Sequence, residues 1–108
     1  MKIIISPAKS LDFETKATTE SFSESSFLEQ SEKLNKKLKT LSRKKLSELM
    51  KISDDLSALN YDRNQNWSLP FSLENAKQAV FSFTGEVYRG IDVNTLSETK
   101  IPEMQNKL

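Results

Sequence analysis

The sequence predicts an α/β fold: a few-stranded sheet, parallel or mixed, with several short helices, incomplete as an isolated chain. Three observations predict it. An unbroken Ile3-Ile4-Ile5 run opens the chain, a long middle stretch carries helical periodicity, and a second apolar run, Ala79-Val80-Phe81-Ser82-Phe83, follows. The order strand, helices, strand is that of a parallel crossover.

Lys2 to Ser6 reads as the first strand, because three β-branched residues are stiff at χ1 and favour extended backbone. Apolar residues in succession, without alternation, predict burial on both faces. Pro7 cannot donate to a ladder and ends the strand. Residues 10–26 are rich in Ser, Thr and Glu and read as a surface connection pinned by Leu11, Phe13 and Phe22. From about Ser26, Phe27, Ser31, Leu34, Leu38 and Leu41 form one stripe of an amphipathic helix. Ser42 is the expected N-cap of a second helix buried through Leu46, Leu49 and Met50. Ser53, followed by Asp54 and Asp55, starts a third with acids at the positive end of its dipole. Leu56 and Leu59 are its apolar side, and residues 60–66 should fray. Trp67, Leu69 and Phe71 alternate as an extended connector, and Ser72 should cap a short helix. The second strand, ended by Gly85, and a last helix over 100–108 complete the reading. Both strands look interior, so the 108 residues are expected to be the N-terminal part of one larger α/β domain.

Composition narrows the function. Hydrophobic residues make up 36% of the chain, against about 45–50% in a typical domain, so the core is thin. Without histidine or cysteine there is no common zinc site, no Ser-His-Asp triad, no thiol nucleophile and no haem ligation. No cofactor and no metal are expected. No apolar run approaches the ~18 residues of a membrane span, and Pro7 and Lys9 fall where a signal peptide would stay apolar. A cytoplasmic protein is the expectation, with no membrane partner.

The net charge of +1 hides a segregation. Between Lys33 and Lys51 stand eight basic residues and one acid, Glu48, a surplus of +7 in nineteen residues. Lys36, Lys37, Arg43, Lys44 and Lys51 are the candidate contacts to nucleic-acid phosphates, and lysine predominance favours diffuse attraction over bidentate readout. The alternative is a solvated lysine-rich helix face. No aromatic residues interleave with these lysines, which argues against a single-strand stacking platform. A second candidate is a pocket where the strands end, lined by Ser6, Lys9 and Tyr88, since ligands in open α/β sheets lie beyond the carboxyl ends of strands. Gly85 and Gly90 flank Tyr88-Arg89 but fit neither the dinucleotide fingerprint nor the Walker loop. Asp54 and Asp55 point about 100° apart on a helix and share no ligand. No catalytic constellation is present.

Three blocks in register carry a family resemblance: Ile4-Ile5-Ser6-Pro7-Ala8-Lys9, Met50-Lys51-Ile52-Ser53-Asp54-Asp55-Leu56 and Phe83-Thr84-Gly85-Glu86-Val87-Tyr88-Arg89-Gly90. The chain resembles the N-terminal part of the YaaA family of bacterial peroxide-stress proteins, whose members are more than twice as long. Glu86 stands where an aspartate is usual, and Ser57 where a small alanine is common. The resemblance implies a cytoplasmic α/β protein, monomeric or weakly associating, that protects against hydrogen peroxide by limiting free intracellular iron. It also implies DNA binding through a helix-hairpin-helix and a positive cleft. That hairpin normally uses two close glycines, and Gly85 and Gly90 do not fit it. The leading expectation is duplex DNA bound through phosphates. The alternative is an enzyme acting on a phosphorylated or nucleotide-like small molecule at the strand-end pocket.

Overall fold

The computed structural model describes residues 1–107. It divides into two compact units, one of residues 1–22 and 76–108, the other of residues 23–75.

The second unit is helical: α1 (Leu28–Leu38), α2 (Arg43–Met50) and α3 (Asp54–Asn66). Ser42 and Ser53 cap α2 and α3 as expected, their hydroxyls accepting from the Lys45 and Leu56 N–H groups at 3.3 Å. Of the predicted apolar stripes, Leu46 is buried as expected, but most of the other positions are not. Leu46 is 1% exposed, whereas Leu49, Met50, Leu56 and Leu59 all lie open to solvent. On α1, Phe27 and Leu34 are exposed and Asn35 is buried instead. The reason is polar. Asn35 Nδ2 donates to the Asn64 carbonyl at 3.2 Å, Lys39 Nζ to the Trp67 carbonyl at 2.9 Å, and Gln65 Nε2 to the Lys39 carbonyl at 3.1 Å. These bonds set the rotation of α1 and keep α3 helical through Asn66, where the sequence predicted fraying. Beyond α3, Trp67 and Phe71 meet edge to face at 5.6 Å. Ser72 opens a turn rather than a helix: Asn75 Oδ1 accepts from the Ser72 N–H at 2.8 Å, and the Asn75 amide donates to the Pro70 carbonyl at 2.9 Å.

The first unit mixes strand and helix, and its sheet corrects the sequence reading. The parallel or mixed sheet does not form. β1 (Ser10–Leu11) and β2 (Phe83–Thr84) pair antiparallel, Ser10 opposite Thr84 and Leu11 opposite Phe83. Lys2 to Ser6, the expected first strand, has no regular structure, and Ile4 is 96% exposed. Residues 79–82 form one helical turn, α4, because the Gln78 carbonyl accepts the Phe81 and Ser82 N–H groups and the Ser82 hydroxyl, each within 3.1 Å. A carbonyl used three times over leaves nothing for a ladder there. Short α5 (Glu86–Ile91), a 3₁₀ turn (Val93–Thr95) and α6 (Lys100–Lys107) follow. Phe81 and Val93 are this unit's buried apolar side chains.

The loop that follows β1 is fastened from one short stretch. Lys77 Nζ donates to the Asp12 carbonyl at 2.8 Å, and Gln78 Nε2 donates to the carbonyls of Thr19 and Ser21 at 3.0 Å each. The Asp12 carboxylate turns the chain by accepting from the Glu14 and Thr15 N–H groups at 2.9 Å. The Thr15 side chain, then these two N–H groups, and last the nearby Lys77 ammonium hold its carboxyl down from 3.8 to about 2. A depressed native value means stability that is complete above 3.8 and is lost as pH falls toward 2. The Asp12 carboxyl carbon should therefore titrate by NMR with a midpoint near 2, and Asp12→Asn should flatten the loss of stability in that window. A midpoint at the ordinary value would refute the turn's role.

Candidate functional site

Lysines and one arginine gather on α1 and α2, but they are not equally available. Lys33 pairs with Glu29 at 2.8 Å and Lys36 with Glu32 at 3.2 Å, both across one helical turn. Lys39 is committed to the Trp67 carbonyl. The Arg43 guanidinium lies 5.3 Å over the Tyr61 ring and 3.4 Å from Asp62 Oδ1. Among the described residues Lys37, Lys44, Lys45 and Lys51 make no ion pair, and all four are exposed. Exposed i,i+4 pairs are worth only about 0.3–0.5 kcal/mol, so Lys36 also remains open to a better anion.

The placing of Arg43, Lys44 and Lys45 runs against helix electrostatics. All three occupy the first turn of α2, at the positive end of the dipole, with no acid among them. Their field adds to that of the backbone instead of opposing it.

Between α2 and α3 lies a three-residue hairpin, Lys51-Ile52-Ser53. Lys51 takes the left-handed conformation at φ 53°, a place normally left to glycine, and its N–H closes back on Ser47. The Ile52 N–H follows to the same carbonyl at 3.2 Å, and the Ser47 hydroxyl donates to the Ile52 carbonyl at 2.6 Å. Ser57, only 1% exposed, donates its hydroxyl to the Arg43 carbonyl beside the equally buried Leu46. Two helices, a tight three-residue turn and a buried serine bonded across them form a compact helical hairpin. A search for paired glycines misses it, because a lysine carries the left-handed turn and a serine cap carries the restart. Ser47, Ile52 and Ser57 hold this hairpin together and were not singled out by the charge pattern. The spacing Leu46, Leu49, Ile52, Leu56 was the available signal.

In the other unit, Ser6, Lys9 and Tyr88 come together. They line one groove of about 330 Å³ with Pro7, Ala8 and Thr84. Tyr88 Oη donates to the Ser6 carbonyl at 2.8 Å, and its ring rests 5.1 Å from Phe83. Gly85, at φ 134°, makes the bend that brings α5 under the groove, in a conformation L-residues rarely adopt. The strand-end rationale for this pocket does not hold, since residues 2–6 are not a strand. The convergence comes from the Tyr88 bond. Among the described residues, no group of three or more Asp or Glu side chains could hold a metal ion, and no helix is long and apolar enough to cross a membrane.

Comparison with known proteins fits these features to one family. A family model described as peroxide stress protein YaaA matches residues 1–108. A UPF0246 protein of Flavobacterium psychrophilum is 48% identical over 108 residues, covering all of this chain and 43% of that protein. Similar proteins of Flavobacterium johnsoniae, 48% identical, and Shewanella loihica, 45% identical, are covered to 43% and 42% of their lengths. The chain thus spans less than half the length of these relatives and corresponds to their N-terminal part. With a matching model over every residue and all three sequence blocks inside it, the chain belongs to the peroxide stress protein YaaA family.

Proposed function

We infer that this chain supplies the DNA-contacting part of a peroxide-stress protein, holding duplex phosphates against α2, its hairpin and the exposed face of α1. The observation that carries the reading is the hairpin itself. A left-handed lysine stands at the turn that ends α2, a helix whose first turn carries three more cations. Asp54 and Asp55 suit the start of α3 but oppose a phosphate there, so Lys51, Lys44, Lys45 and Lys37 must outweigh them. Such binding is sequence-tolerant and salt-sensitive, because it releases counterions and reads no base edges. The reading places the protein in the cytoplasm with the chromosome. It assigns the limiting of free iron to the whole protein and asks no iron ligation of these residues.

Four uncommitted lysines give a log–log salt slope of about −3 to −4 on duplex DNA. Affinity for a mixed-sequence duplex, compared at 50 and 200 mM salt, should fall accordingly; no binding, or binding indifferent to salt, would end the reading. Lys51→Gly should have opposite effects on two measurements. Freed of a left-handed lysine, the hairpin should gain about 1 kcal/mol in urea unfolding. The salt slope should become shallower by about 1.

A second reading is favoured by the groove, where Ser6, Lys9 and Tyr88 converge. Here Lys9 would hold the anionic group of a phosphorylated or nucleotide-like small molecule while the Tyr88 oxygen accepts a hydrogen bond from it. Lys9→Ala leaves α2 and its hairpin untouched. Loss of peroxide protection with DNA affinity intact would favour this reading, and unchanged protection would remove it. Tyr88→Phe should cost about 0.5–1.5 kcal/mol of stability through the lost bond to Ser6.

A further inference from the structure

The N-terminal segment and the last helix line a groove. Ile3, Ile5, Val87, Ile91, Leu96 and Met104 form an apolar floor of about 440 Å³. Three charged residues stand at its rim, where Glu103 pairs with Lys100 at 2.8 Å and with Lys107 at 3.3 Å, leaving a surplus of one positive charge. The groove therefore offers an incoming group mainly apolar contact, with a weakly positive rim.

Its open side is also a backbone edge. The Ile3 N–H donates to the Lys107 carbonyl at 2.7 Å, and Lys2 Nζ donates to the Asn106 carbonyl at 2.7 Å, which tethers the segment to the end of α6. Among the described residues, Ile4 and Ile5 make no main-chain hydrogen bond. Three consecutive isoleucines carry the strongest strand preference in the chain, and Ile4 and Ile5 among them present main-chain groups open to a neighbour. A segment with such an edge accepts a strand readily, through main-chain bonds and alternate side-chain contacts.

We propose that residues Ile3–Ser6 and the groove beside them are the docking site of the polypeptide that follows the matched region in the longer family members, which adds a strand along Ile3–Ser6 and covers Val87, Ile91, Leu96 and Met104. Two observations name this occupant over others. More than half of each relative's length lies beyond the matched region. Lys107 lies on the groove's rim, so polypeptide continuing from α6 emerges beside the floor it is to cover.

The test joins the remainder of the Flavobacterium psychrophilum relative to this chain and compares amide hydrogen exchange in the joined protein and the 108-residue chain. Exchange at Ile4, whose N–H lies on the edge opposite the Ile3 N–H bonded to Lys107, should slow at least ~100-fold on joining, as for an amide taken into a cooperative ladder. Protection of Leu46 and Ser57 in the same spectra reports that the joined protein is folded. Should joining prevent folding, the remainder added as a separate polypeptide must produce the same slowing. Ile5→Lys, which places a charge on the floor, should restore fast exchange at Ile4. Unchanged exchange at Ile4 overturns the proposal. So does protection in the 108-residue chain alone that rises with concentration as its mass doubles, because the occupant is then a second copy.

Discussion

The bond between the Ser57 hydroxyl and the Arg43 carbonyl, made beside Leu46, is the contact on which the helical unit turns. It joins the first turn of α2 to α3 at the point where both are most buried. A carbonyl in that first turn would otherwise have only its intrahelical partner, and a buried hydroxyl without an acceptor would cost about 1–3 kcal/mol. A small serine there permits the close approach and adds a directed bond between the two helices. With Lys51 held left-handed and Ser53 capping, the turn has little freedom left, and the lysine it carries is presented in one arrangement.

The same solution recurs across the chain. Apolar burial is scarce: Leu46, Phe81 and Val93 are the buried hydrophobic residues among those described. Long polar side chains do much of the joining, each reaching a main-chain carbonyl far away in sequence. Asn35, Lys39, Gln65, Lys77, Gln78 and Tyr88 all act in this way. Each such bond contributes only about 1 kcal/mol net, but each also fixes a register that a smooth apolar contact would leave loose. The charge pattern sorts itself by the same criterion. Lys39 and Arg43 are engaged within the fold, while Lys37, Lys44, Lys45 and Lys51 make no ion pair among the described residues.

What the sequence disclosed follows from the range of the interactions involved. Caps are local, and Ser42 and Ser53 were legible because a hydroxyl meets an N–H three residues on. The three helices of the 23–75 unit were legible for the same reason. The strands were not. Ile3-Ile4-Ile5 has strand propensity, but a strand exists only through a neighbour, and here Ser82 and Gln78 close α4 instead. The faces of α1 and α3 were misread because Asn35 and Ser57, polar by composition, are the buried positions, and their acceptors lie 29 and 14 residues away. At the sites, the basic run and the trio Ser6, Lys9 and Tyr88 were visible as residue types. The hairpin was hidden by its substitutions, since glycine is the usual token of a left-handed turn and Lys51 took its place.

The fastening of the loop after β1 has an evolutionary corollary. Lys77 and Gln78 grip the carbonyls of Asp12, Thr19 and Ser21, and every amino acid possesses a carbonyl. Asp12 and the buried Thr19 also shape the chain through their own side chains, but Ser21 can drift in identity without loosening the hold. The two gripping residues cannot. Divergence should thus be lopsided, permissive along the loop and restrictive at two adjacent sites some sixty residues downstream.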